Sequence, residues 1–219
     1  MKQWMFFLLS LATLPAVAQV RGPSNEWSLN LHSIGSHRYT FEGGASAIND
    51  GGGGIAGSLV RNLNDYFSLG GELTLGEFDH RGSVVPAAGN PARSFDTRGR
   101  MELATVHAVA TWYLLARPMT PFLTAGAGVT SLDTNFIGGD PPFSGCWIYP
   151  WYGQVCGAVA PRGTLTRFSY GASLGARWDL PRDQGFLRAL IGGEWMQFSE
   201  ATSGHLGYVQ VRADFGVLF

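Results

Sequence analysis

From about residue 26 onward, apolar and polar positions alternate along this chain with a period of two, the spacing that sends successive side chains to opposite faces of a β-strand. The final segment, 206–219, is the clearest: Val209, Val211, Ala213, Phe215, Val217 and Phe219 share one face, and Tyr208, Gln210, Arg212, Asp214 and Gly216 the other. Segment 186–198 sets Leu187, Ala189, Ile191, Gly193 and Trp195 against Arg188, Gly192 and Glu194. Earlier, Phe67, Leu69, Gly71, Leu73 and Leu75 oppose Ser68, Gly70, Glu72 and Thr74, and Phe168 to Trp178 repeats the split with Ser169, Gly171, Ser173, Gly175 and Arg177 on the polar side. The pattern predicts strands near 26–35, 54–62, 66–78, 100–114, 121–132, 165–178, 186–198 and 207–219. Short turns at 62–65, 116–120 and 180–185 alternate with longer Gly/Pro-rich loops near 36–53, 79–99 and 133–164, the last with room for a further hairpin. Short turns on one rim and long loops on the other define an all-β fold: a closed antiparallel up-and-down transmembrane β-barrel of about eight strands, with short periplasmic turns and long extracellular loops.

Composition agrees, since 31 Gly, 14% charged and 13% aromatic residues suit strands better than helices. Fifteen basic residues against 16 acidic ones, with no Lys/Arg cluster, give no reason to expect a nucleic-acid partner. At the start, Lys2, an apolar run at 5–14 and the small triplet Ala16-Val17-Ala18 predict a secretory signal peptide over 1–18, cleaved near Ala18, and one barrel domain over 19–219. No later run of about 18 apolar residues offers a spanning helix. In an exported chain Cys146 and Cys156 are expected to form a disulfide, worth about 2–3 kcal/mol for a loop this short in the chain-entropy model. The nine residues between them hold no His or carboxylate, so neither a metal nor any other cofactor is expected.

Alternation alone does not say which face looks outward, because a soluble lipocalin-type barrel places its apolar face inside. Two features decide for the membrane. Trp27, Phe67, Trp112, Phe122, Trp178, Phe186 and Phe219 fall at strand ends near the short-turn rim, where an interfacial girdle sits. The polar face carries Glu72, Glu194 and Asp214 against Arg177, Arg188 and Arg212, a self-neutralising set that lipid would penalise by a few kcal/mol per charge and a narrow lumen would pair. His107 shares this lumen parity and is placed to hydrogen-bond a carboxylate.

At these residues the chain resembles the small outer-membrane barrels of the OmpA-like and OmpW-like type. The last strand, with Phe215, Val217 and terminal Phe219, resembles the C-terminal signal read by the barrel-assembly machinery. Segment 63–72 (LNDYFSLGGE) resembles a recurring turn-plus-strand of that group, 121–128 (PFLTAGAG) its Pro-aromatic Gly-rich strand, and 104–107 (ATVH) with Trp112-Tyr113 the OmpW branch. The resemblance implies the outer membrane of a Gram-negative cell, with outer-membrane lipid, lipopolysaccharide and the assembly machinery as partners and a monomeric state. OmpW-like barrels imply an apolar lumen and passage of small hydrophobic compounds. The charged polar face here departs from that and matches the OmpA-like type, whose interior is closed by an ionic network.

The expected function is therefore non-enzymatic: a structural or surface-interaction barrel closed by Glu72, Arg177, Arg188, Glu194, Arg212 and Asp214, with a small-solute channel as the alternative and a lipid A-modifying enzyme behind both. For an enzyme the candidates are His80 with Ser83 and His205 with Ser203, neither a recognisable motif. Trp147, Tyr149, Trp151 and Tyr152, between the two cysteines, are expected either to rest on the outer-leaflet interface or to form a rigid surface knob for an extracellular ligand.

Overall fold

The computed structural model describes residues 22–87, 94–137, 141–142, 144–180, 185–198 and 205–219. The expected signal peptide and cleavage site, and Ser203 of the His205 pair, lie outside the described residues. Among the described residues there are eleven strands: β1 (Ser24–Ile34), β2 (His37–Thr40), β3 (Ser46–Asn62), β4 (Phe67–Pro86), β5 (Phe95–Tyr113), β6 (Met119–Ile137), β7 (Gly145–Tyr149), β8 (Gly153–Gly157), β9 (Gly163–Asp179), β10 (Gly185–Gln197) and β11 (His205–Leu218). Eight of them, β1, β3, β4, β5, β6, β9, β10 and β11, close into an antiparallel ring. The ring has no free edge because β1 pairs with β11, Trp27 opposite Val217, and β3 pairs with β4, Leu59 opposite Gly71. These are the eight expected strands, in the expected order.

Closure fixes register, and register fixes faces. On β9 the outward residues run apolar from Trp178 through Leu174 to Phe168, eleven positions, and then turn polar at Thr166 and Thr164. On β4 the outward run covers 67–75 before Glu77, and on β5 it covers 104–112 above which Glu102 stands. Nine to eleven tilted residues are what a strand needs to cross about 25–30 Å of hydrocarbon. The opposite, inner face of the barrel strands buries Glu26, Ser28, Asn30, Thr105, Thr111, Ser169, Arg177, Arg188, Glu194 and Asp214.

Three expectations need correction. The loops near 36–53 and 79–99 are mostly strand: β3 begins at Ser46, β4 reaches Pro86 and β5 starts at Phe95. These strands outlast the lipid-facing run because their inner faces, through Phe78, Val84, Met101 and Leu103, have an apolar cluster to bury against. Second, the girdle is smaller than expected. Trp27, Trp112, Trp178 and Phe219 do stand outward at the short-turn rim, 45–65% exposed, but Phe122 and Phe186 are fully buried inside. Parity explains it, since Phe186 lies on the face of Arg188 and Phe122 on the face of Thr120, so rings and charges there share the lumen.

The third correction concerns the aromatic residues of the long loop before β9, a loop with room for a further hairpin. It folds as a hairpin, β7 and β8, with Cys146 opposite Cys156 in register and the expected disulfide formed between them. The hairpin extends the β4 sheet through Val85 opposite Ile148 and Pro86 opposite Trp147, and the Ala87 amide donates to the Cys146 carbonyl at 2.9 Å. Trp147, Tyr149 and Trp151 are each about 1% exposed. They are neither surface anchors nor interfacial rings; they fill the mouth of the barrel, where the apolar upper walls would otherwise face water. Gly43 eases the approach: its φ of 76° suits glycine, and the Ile148 side chain packs over the place a Cβ would take.

Candidate functional site

The lumen is the only large polar surface the barrel encloses, and it divides into three layers among the described residues. At the short-turn end Arg177 is 0% exposed. Its Nη1 donates to Glu26 (2.6 Å to Oε1) and to the Tyr113 hydroxyl (2.9 Å), and its Nε to Asp179 at 2.5 Å. The Phe186 ring lies under the guanidinium, 4.0 Å from its centroid, so the cation is covered by a π face as well as by two carboxylates. Asn62 Nδ2 donates to Glu26 at 2.7 Å and to Ser24 Oγ at 2.9 Å, which holds that carboxylate in place.

The middle layer is a ladder of two guanidiniums. Arg188 reaches Asp214 at 3.0 Å and donates to Ser28 at 2.8 Å, with Ser28 and Ser58 sharing a 2.6 Å hydrogen bond across β1 and β3. Arg212 grips Glu72 with both terminal nitrogens, at 2.8 and 2.5 Å, the forked geometry that carboxylates favour. Above it lies a chain of hydroxyls: His107 Nε2 and Ser169 Oγ are 2.7 Å apart, Thr130 donates to Ser169 at 2.8 Å, and Thr130 and Tyr208 both reach Glu194. A void of about 40 Å³ remains between these layers, lined by Ser58, Glu72, His107, Thr124 and Asp214 among others, enough for about three waters.

All seven lumen residues expected from the sequence face inward, but two roles differ. Glu194 is tied to hydroxyls instead of a guanidinium, and His107 bonds Ser169 instead of a carboxylate. The set is also larger and less balanced than three against three. Glu26 and Asp179 join it, so five carboxylates, those two with Glu72, Glu194 and Asp214, surround three guanidiniums. The alternation of Glu26, Ser28 and Asn30 against Trp27, Leu29 and Leu31 carried that signal, and Asp179 sits two residues from Arg177 at a strand end.

The third layer is the plug. Trp151 packs edge-on against Tyr39, Phe41 and Phe198 at 5.3, 5.3 and 5.9 Å, and Phe95 does the same against Trp147 at 5.1 Å. Trp151 is the one non-Gly residue at positive φ among the described residues, 72°, a backbone cost of about 1–2 kcal/mol that its buried ring repays. Tyr152 hydrogen-bonds Thr134 and donates to the Gly163 carbonyl at 2.8 Å, tying the hairpin to β6 and β9. His80 is buried against Trp151, 6.3 Å between rings, while Ser83 has the opposite parity on β4, so these two form no pair. The His107–Ser169 pair has nucleophile–base spacing, but it lies below the plug beside a void far too small for a substrate.

By sequence, no protein-family profile and no characterised protein matches the chain. By structure, Neisserial surface protein A superposes with a TM-score of 0.54 at 13% identity, covering 90% of this chain and 97% of that one. OprG from Pseudomonas aeruginosa (TM-score 0.49, 12% identity, 92% and 99% covered) and Ail of Yersinia pestis (0.48, 8%, 90% and 99%) are further outer-membrane barrels with similar structures. The fold is that of the small eight-stranded outer-membrane barrels.

Two measurements test the layers. Arg212→Ala, which strands Glu72 in the lumen, should cost about 3–5 kcal/mol in urea unfolding from vesicles, whereas Glu72→Leu with Arg212→Met should recover most of it; equal losses would mean the pair is not buried in the folded barrel. In the plug, which lies above the membrane-spanning run, burial lowers the His80 imidazole to about 4 from 6.5, outweighing Asp79 and Asp50, which raise it. Between those values the unfolded chain binds the extra proton, so plug stability is full above about pH 6.5 and drains away as pH falls toward 4. Near-UV circular dichroism of the aromatic cluster should track that loss, and His80→Phe should flatten it.

Proposed function

We propose that this chain works in the outer membrane as a non-conducting, non-enzymatic monomeric barrel whose task is structural and at its outer surface. The observation that carries this reading is the double seal: a guanidinium–carboxylate lumen below, holding a void of about 40 Å³ among its charged side chains, and three buried rings of a disulfide-closed hairpin above. A solute would have to break the Arg212–Glu72 fork and displace Trp151 together. The exported route, the signal peptide and the reading of Phe215, Val217 and Phe219 by assembly machinery belong to the same proposal. Phe215 and Phe219 are outward-facing and more than half exposed, which suits that last role.

Surface presentation is supported by the β4–β5 extension. Above the lipid-facing run its outer face carries Glu77, Asp79, Arg81, Arg98 and Arg100, with Arg81 paired to Asp50 at 2.5 Å and Arg100 near Glu77 and Asp79 at 3.5 and 3.4 Å. Exposed pairs of this kind contribute little stability and leave a charged, hydrated surface for encounter with a ligand.

Planar-bilayer recording separates this reading from the small-solute channel. The purified protein should stay silent; so should a variant lacking 145–157, and so should Glu72→Ala with Arg212→Ala, because each leaves the other seal in place. Combining the two with Arg177→Ala and Arg188→Ala, which opens the layers below the fork as well, should give discrete openings. Steady openings of the unaltered protein would overturn the closed-barrel reading in favour of the channel.

A further inference from the structure

One side of the upper rim is built unlike the rest. On β4, β5 and β6 the first positions above the apolar run are carboxylates in one row, Glu77 opposite Glu102 and Glu102 opposite Asp133. On β9 and β10 the apolar run ends instead in aromatic rings: Phe168 and Tyr170 are 6.3 Å apart, and Tyr170 and Trp195 stack at 5.8 Å and 21°. Trp195 lies flat on the sheet because its register partner on β11 is Gly207, where a Cβ would stand 2.5 Å from the indole; at Gly193 the clearance is 2.7 Å.

Two notches open beside these rings. Pairing of β1 with β11 runs to Ile34 opposite Gln210, with a last hydrogen bond from the Gly35 amide to the Val209 carbonyl at 2.8 Å, and above it β2 pairs only with β3 among the described residues, so the wall parts over β11. The notch formed there, about 380 Å³, is lined by His37, Arg38, Thr40, Trp195 and His205 with their neighbours. A second, about 610 Å³, lies between Arg167, Phe168, Tyr170 and His205. Among the described residues neither is lined by an Asp or Glu, whereas the row on β4, β5 and β6 is acidic. An apolar wall, a flat aromatic shelf above it and a cationic notch above that, stacked in the order of acyl chain, sugar ring and phosphate, are complementary to one kind of molecule.

We propose that the β9–β10–β11–β2 side binds one phosphorylated glycolipid of the outer leaflet. Its acyl chains run down Leu174 and Ile191, a sugar face rests on Tyr170 and Trp195, and a phosphate sits among His37, Arg38 and His205. This rests on the outer-membrane reading above and adds to it a residue-level lipid site.

Native mass spectrometry of the full, detergent-solubilised protein tests it, with diphosphorylated lipid A and its dephosphorylated form as probes. One diphosphorylated molecule should be retained per barrel, and removing the phosphates should weaken retention about fivefold or more, the scale of a charge-assisted contact. Arg38→Gln and Trp195→Ala should each weaken it comparably, and Arg100→Gln, on the acidic side, should not. Heat-modifiable migration on gels reports that each variant is folded, and Gly207→Ala, which displaces the indole without touching the lumen, gives a second route to the same loss. Equal retention of both glycolipids, an equal effect of Arg100→Gln, or displacement by millimolar inorganic phosphate would overturn the site. Insertion into vesicles of neutral phospholipid is scored separately: insertion without selective retention defeats this site alone, and failure to insert defeats the outer-membrane reading.

Discussion

Hydrocarbon offers a polar group nothing to bond to, and every feature of this barrel follows from that constraint. The backbone meets it by closing the sheet, so that each of the eight barrel strands finds two neighbours. Side chains meet it by parity: Leu, Val and Trp outward, and the guanidiniums and carboxylates inward where they find one another. A one-residue slip in any of the eight strands would turn a face such as Glu26-Ser28-Asn30 into lipid. Register is therefore held by the charges as firmly as by the hydrogen-bond ladder.

A lumen sealed this way needs no plug to be impermeable, yet the chain supplies one. The β4–β5 extension rises past the lipid-facing run and presents apolar inner walls that no lipid covers. The disulfide hairpin fills that space with Trp147, Tyr149 and Trp151, and the positive φ of Trp151 records how firmly the ring is held. Ionic and aromatic seals differ in what weakens them, the first being insensitive to loss of the hairpin and the second carrying a buried imidazole that resists protonation.

Much of this was legible in the sequence because a period of two is a strong signal when repeated in eight strands. The lumen set from Glu72 to Asp214 followed from parity and from the cost of charge in lipid. The misplacements in the barrel wall have one origin. Residues at strand ends, Glu26, Asp179, Phe122 and Phe186, sit where a boundary error of a few positions hides the parity. Trp147 and Trp151 were illegible for a different reason: a short aromatic hairpin carries no record of whether it turns outward to a partner or inward to the mouth. Only the apolar inner faces of β4 and β5, themselves concealed in Gly-rich stretches that read as loops, decide that.

The central claim, greasy face to lipid and charges around the axis, is tested most directly by nitroxide scanning along β11 in vesicles. Labels at Val209, Val211 and Ala213 should collide freely with dissolved oxygen, and labels at Gln210, Arg212 and Asp214 should be shielded from oxygen and from water-soluble nickel chelates alike. The reverse phase, or no alternation at all, would contradict the account.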